Sequence, residues 1–234
     1  MLVALRRDHL QSAAGALAEV APDALVLFMG NNPAGRSGLP SGSGARVALG
    51  FPGVGGTISA GVATYYKIDQ QPTAIEASDE PRLAVLADAL AARGLPIQRV
   101  VDMDGWLAYH AVFVAAICAA LYRCGTDPQR LADDRATLKL MCLAITQGFQ
   151  ELHGGHITGC PRNLAVLHNR WLAPVASRYW ARVMRSPMGE LAFAAHARHA
   201  EPEMRTLAHD VVTRLPRTDA SEALHTLLAG TGPA

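Results

Sequence analysis

The sequence predicts an α/β half followed by an all-helical half, and three observations carry that prediction. Up to about residue 101, short apolar and β-branched runs alternate with Gly/Pro-rich turns. Beyond it, apolar residues recur at helical spacing over long stretches. The later segments also carry prolines close to their starts, at Pro128, Pro174, Pro187 and Pro202, where a first helical turn has no N–H to lose.

The elements follow in order. Leu2 to Leu5 reads as the tail of a strand, and Gln11 to Val20 as a short helix. ALVLFM (24–29) is a continuous apolar run of strand length, as a parallel strand buried on both faces requires. GNNPAGRSGLPSGSG is turn chemistry. Strands are expected at Arg46–Phe51, Thr57–Tyr66, Thr73–Glu76 and Ile97–Val101, with a helix over Pro81–Arg93 capped by Ser78 or Asp79 and ended by Gly94. A long helix is predicted from about Gly105 to Arg123. Another should start at Asp127-Pro128 and run to Leu152, where His153-Gly154-Gly155 stops it. Further helices are expected at about 161–169, 172–185, 188–199 and 202–214, and the last dozen residues are expected to fray.

Composition narrows the function. The 234 residues are half hydrophobic and 18% charged, enough to bury a sizeable core. A formal net charge of +1, with acids and bases interspersed, gives no electrostatic reason to expect nucleic acid or an anionic membrane as partner. The longest apolar stretch, Ala111 to Tyr122, is about half of what a bilayer needs. Cys118, Cys124, Cys142 and Cys160 form no CxxC pair and no leader pattern precedes them, so a reducing cytoplasm is the expected compartment. HGGHITGC offers His153, His156 and Cys160, but no motif supplies a fourth zinc ligand, and no metal is expected. No GxSxG elbow supports a hydrolase.

Five segments, in order, narrow it further. These are VALRRDHL (3–10), LFMGNNPAG (27–35), RVALGFPGVGGTISAG (46–61), DMDGWLAYHAVFVAAICAALY (102–122) and SPMGELAFAAHARHAEPEMRTLAHDV (186–211). Together they resemble a divergent, N-terminally truncated branch of the ketopantoate reductase (2-dehydropantoate 2-reductase) family. That resemblance implies a partial Rossmann-type sheet over 1–101. A helical domain over 102–234 would follow, like the C-terminal domains of 6-phosphogluconate-dehydrogenase-like proteins. It implies NADP as cofactor, reduction of a 2-oxo acid or related small carbonyl, and a homodimer. Arg6 and His9 take the positions of a basic residue and a Gln beside the cofactor; Asn31 and Asn32 stand at its nicotinamide and ribose. Trp106 matches a helix-opening Trp. Ser186 matches a late active-site Ser, and His196 is carried over with it; the accompanying Glu, counted from Ser186, lands near Arg198, with Glu190, His196 and Glu203 as polar neighbours.

Two departures stand out. The family's GxGxxG between a strand and a helix is absent; GFPGVGG (50–56) lies between strand candidates and reads as a turn. The family's Lys two residues after the Trp is Ala108 here, and its later Asn positions fall on Val112 and Ala116. A proton donor is then sought at His110, one turn from Trp106, or at Tyr109. The alternative is a non-catalytic paralogue, a helical dimerisation or small-acid-binding module, whose cut sheet edge would invite pairing.

Overall fold

The computed structural model describes residues 1–6, 9–10, 12, 19, 23–40, 47–169 and 173–231. Seven strands, nine helices and three short 3-10 segments are defined among them. β1 (Leu2–Val3), β2 (Val26–Met29), β3 (Val47–Phe51), β6 (Thr73–Glu76) and β7 (Ile97–Val100) form one sheet in the order β1-β2-β3-β6-β7. β1, β2 and β3 are parallel, β6 turns antiparallel against β3 through Gly50↔Ile75, and β7 lies parallel to β6. β4 (Val54–Ser59) and β5 (Val62–Lys67) make a separate antiparallel hairpin. The helix expected at Gln11 to Val20 lies almost wholly outside the described residues, as does Arg46.

Strand alternation sends side chains to two faces. Leu27, Met29, Ala48 and Ile75 meet Leu83 and Ala87 of α1 (Pro81–Ala92). Val26, Phe28, Leu49 and Ala74 meet Met103, Trp106 and Leu107, which open α2 (Met103–Arg123). Beyond that point α2 enters the helical core, where Ile117 and Leu121 are fully buried. This helix is long and apolar enough to cross a membrane, yet 83% of its most apolar window is buried inside the protein. A helix at the centre of a core is hydrophobic all round for the same reason as a membrane span.

Around α2 pack α3 (Pro128–Asp133), α4 (Arg135–Gly154), α5 (Arg162–Leu167) and α6 (Ala173–Met184). They are followed by α7, whose first part Gly189–Ala194 is π-helical and continues as Ala195–His199, then α8 (Glu201–Arg214) and α9 (Glu222–Leu228). An α/β sheet region followed by a mostly helical region is therefore the fold class, as the sequence predicts.

Four elements depart from expectation. The strand expected over Thr57–Tyr66 is a hairpin that turns at Ala60-Gly61. The helix expected from Asp127 to Leu152 is interrupted, because the Asp134 carboxylate caps a fresh start by accepting from Ala136 N and Thr137 N. Glu80, rather than Ser78 or Asp79, caps α1. The C-terminal residues do not fray up to Thr231: Leu224, Leu227 and Leu228 share one apolar face and are buried. The Gln147 carboxamide also accepts from Ala223 N and Leu224 N, tying α9 to α4.

Candidate functional site

Ligands of open α/β sheets settle at the carboxyl ends of the strands. A cavity of about 250 Å³ opens there, between the ends of β1 and β2, the β3–β4 corner, α2 and α7. Arg6, Asn31, Gln71, His110, His196 and Glu203 all line it.

Each is positioned by an identifiable device. Arg6 follows β1, and Asn31 follows Gly30 at the end of β2. The turn after Asn31 is braced by Arg36, whose backbone N–H donates to Asp104 Oδ1 (2.6 Å) and whose guanidinium donates to Val47 O (2.8 Å) and Glu76 Oε1 (2.5 Å). Glu203 lies one turn before Leu207 and two before Val211, so the buried stripe of α8 carries it inward to 3% exposure. Its carboxylate accepts from Asn31 Nδ2 at 3.1 Å, a bond that spans 172 residues and joins the sheet to the helices. Asn31 Oδ1 is buried with no hydrogen-bond partner. His196 neighbours Glu203, Arg6 and His110; burial pulls its pKa down, Glu203 pushes it back up, and Arg6 lowers it again.

His110 is buried, stacked on Trp106 (centroids 4.8 Å, planes 8° apart) and tilted against Phe51 at 4.0 Å. Its Nε2 hydrogen-bonds Gln71 Oε1 at 3.1 Å, while Nδ1 has no hydrogen-bond partner. Burial, with the charge of His196 adding to it, pulls its pKa from 6.5 to about 3. The imidazole therefore works as a neutral hydrogen-bonding group, not as an imidazolium acid. Burial likewise lowers His168 to about 4. Folded values below the free value mean that the unfolded chain takes up protons first. The stability these imidazoles contribute is complete above pH 6.5 and is lost as pH falls towards about 4 and about 3. Below pH 6.5 the fall in unfolding free energy is expected to steepen towards about 1.4 kcal/mol per pH unit for each. Urea unfolding at several pH values checks this, and His110→Phe should remove one such contribution; an unchanged slope in that variant would show that His110 is not held neutral.

The other expected residues fall elsewhere. Tyr109 points away from the cavity, its hydroxyl donating to Ile157 O at 2.9 Å and its pKa raised by burial to about 12. Ser186 donates to Val183 O at 2.7 Å and does not line the cavity. Asn32 turns into its own loop, donating to Gly35 O at 2.5 Å. His9 is exposed.

The cavity face of α2 continues from Trp106 at four-residue spacing, through His110, Val114 and Cys118. The positions of the family's Lys and first Asn, Ala108 and Val112, line a different, larger cleft of about 780 Å³. The larger cleft is the weaker site because its acids are already engaged: Asp102 caps α2 by accepting from Gly105 N, Asp104 accepts from Arg36 N, and Glu151 accepts from the Thr218 hydroxyl. Glu203 is the residue that counting missed. The π-helical stretch at Gly189–Ala194 and the break at Ala200 lengthen the segment beyond what even helical spacing allows. The signal that finds it is a carboxylate in register with an apolar stripe.

GFPGVGG forms the β3–β4 corner, where the chain packs closely on itself. A Cβ on Gly53 would lie 2.7 Å from Thr73 N, and one on Gly55 would lie 2.8 Å from Ala192 Cα, so these glycines let the chain meet itself. Among the described residues no glycine-rich turn links a strand to a helix. A nicotinamide cofactor therefore finds no seat for its pyrophosphate in them, whereas its nicotinamide end fits the unpaired, buried Asn31 Oδ1, an acceptor for a carboxamide N–H.

No family model and no curated protein matches the chain. Among solved structures, it is similar to a PanE/ApbA-family ketopantoate reductase from Ralstonia eutropha JMP134. The TM-score is 0.68 at 20% identity over 98% of this chain and 73% of that one. It is also similar to a dimeric ketopantoate reductase from Staphylococcus aureus, with TM-score 0.61 at 12% identity over 98% of this chain and 75% of that one. The fold is thus that of ketopantoate reductases, a Rossmann-like sheet joined to a helical domain.

Proposed function

We propose that the chain carries the carbonyl-binding site of an NADPH-dependent reductase acting on a 2-oxo acid or a related small carbonyl. The observation that carries this reading is the convergence of Arg6, Asn31, His110, His196 and Glu203 on one cavity at the strand ends. When bound, the nicotinamide supplies hydride to the carbonyl carbon. Asn31 and its neighbours hold that end of the cofactor. The planar guanidinium of Arg6 suits the acid's carboxylate, which it can take through two parallel N–H bonds. With His110 Nε2–H donating to Gln71 Oε1, the neutral ring carries its hydrogen on Nε2 and leaves Nδ1 as a buried acceptor for a substrate O–H or N–H. The His196–Glu203 pair, with Glu203 buried and His196 partly buried, then delivers the proton that completes the alcohol.

A second reading keeps the acid site without turnover: a small-acid-binding module, with association between copies as its quaternary form. The absence of a pyrophosphate seat among the described residues favours it. Titrating the chain with NADPH by fluorescence, followed by an NADPH-oxidation assay with a panel of 2-oxo acids, separates the two. Saturable binding and turnover are expected; no saturable NADPH binding would leave the module reading in possession.

A further inference from the structure

Another groove, of about 520 Å³, shares no lining residue with the cavity at the strand ends. Arg135 and Lys139 line it from the start of α4, Arg178 from α6 and Arg185 from just past the end of α6. Every charged side chain lining it is a cation. In a chain whose formal net charge is +1, that is a local excess. Two carboxylates adjoin it in sequence, and both are engaged. Asp133 Oδ1 accepts from the Arg185 guanidinium at 2.5 Å. Asp134 caps α4, accepting from Ala136 N, Thr137 N and the Thr137 hydroxyl. Among the described residues Arg135, Lys139 and Arg178 pair with no carboxylate. Arg135 and Lys139 stand four residues apart on one helix, as do Arg178 and Arg182 on the other. Like charges at that spacing repel, so each helix is weakened until an anion comes between them.

We propose that this groove binds a compact polyphosphate, a chain of about three linked phosphate groups, held by Arg135 and Lys139 on one wall and by Arg178 and Arg185 on the other. The spacing carries the choice of ligand. A helix rises about 10 Å over the seven residues from Arg178 to Arg185, and about 6 Å from Arg135 to Lys139. A single phosphate meets one end of such an array, whereas a linked chain meets both. Planar guanidinium groups take phosphate oxygens through paired N–H bonds, and Lys139 adds a point charge. Nucleic acid fits less well, because no aromatic ring lines the groove for a base to stack on. The inference is independent of the reductase reading.

The test is calorimetric titration of the full chain with sodium tripolyphosphate, at low salt and without divalent cations. One saturable site is expected, weakening as salt is added. Orthophosphate should bind roughly 10-fold more weakly or worse. Arg178→Glu should weaken tripolyphosphate binding by roughly 10-fold or more. It sets an acid one turn before Arg182, a favourable helical spacing, so the melting temperature should stay near that of the parent. Lys139→Glu, one turn after Arg135, is the second variant if the first does not fold, with the same loss expected. Arg217→Glu changes the net charge equally at an exposed position outside the groove, and should bind within about twofold of the parent. The proposal is overturned by any of four results: no saturable binding, equal affinity for orthophosphate, equal losses in the groove variant and in Arg217→Glu, or a short DNA duplex binding more tightly than tripolyphosphate.

Discussion

Glu203→Ala is expected to lower turnover by roughly 10²-fold or more in an NADPH-dependent 2-oxo acid assay, and to destabilise the fold at the same time. The stability loss comes from Asn31. Its Nδ2 would keep no acceptor in a buried position, at a cost of about 1–3 kcal/mol. The activity loss has a separate origin, the carboxylate beside His196, whose influence holds the His196 pKa up against burial. Glu203→Gln separates the two. Its amide oxygen still accepts from Asn31, so the urea midpoint should return close to the parent value, while turnover stays low because the charge is gone. If Glu203→Gln recovers activity along with stability, Glu203 is a strut between sheet and helices and nothing more.

Gly159→Ala is expected to cost about 3 kcal/mol without touching any residue of the cavity. Gly159 has φ +84°, a left-handed conformation worth about 1–2 kcal/mol to an L side chain. A Cβ there would also lie 2.6 Å from Asp102 O and 2.8 Å from Trp106 N, both backbone atoms of the α2 start. Such overpacking adds about 1–3 kcal/mol. The effect matters because the loop from His156 to Cys160 is what steadies that start. Ile157 O accepts from the Tyr109 hydroxyl, and the Thr158 hydroxyl donates to Asp102. Trp106, whose backbone N lies in that clash, is the platform on which His110 stacks. Thermal unfolding should show a drop of roughly 10 °C. Gly154→Ala, where nothing lies within 4 Å of the added Cβ, serves as the control and should stay within about 0.5 kcal/mol of the parent. A melting temperature for Gly159→Ala equal to that control would mean that the loop does not dock on α2.

The order of elements was legible residue by residue. Val26–Met29 has the unbroken apolar run of a buried parallel strand, and α2 has no polar face because it is covered all round. Asp127 at the cap and Pro128 in the first turn placed the start of α3, and Pro202 that of α8, to within a residue or so. Asn31, Arg6 and His196 were reachable through the resemblance and His110 through its spacing from Trp106, and the structure brings those four to one cavity. Tyr109 and Ser186 were plausible on the same grounds and go elsewhere, into hydrogen bonds with Ile157 O and Val183 O.

The sequence by itself determined what is local: which stretches are strand or helix, where turns interrupt them, and that an α/β half precedes a helical one. Those choices depend on neighbours within a few residues, so the chain records them in its pattern of apolar, turn-forming and capping side chains. Only the tertiary structure decided which side of α2 faces the cavity, that Glu203 meets Asn31 across 172 residues, and that a π-helical stretch shifts everything after Gly189. A helix covered on every side carries no polar stripe to mark the face that binds. A contact between distant segments depends on how whole elements pack, and no spacing along the chain encodes that distance.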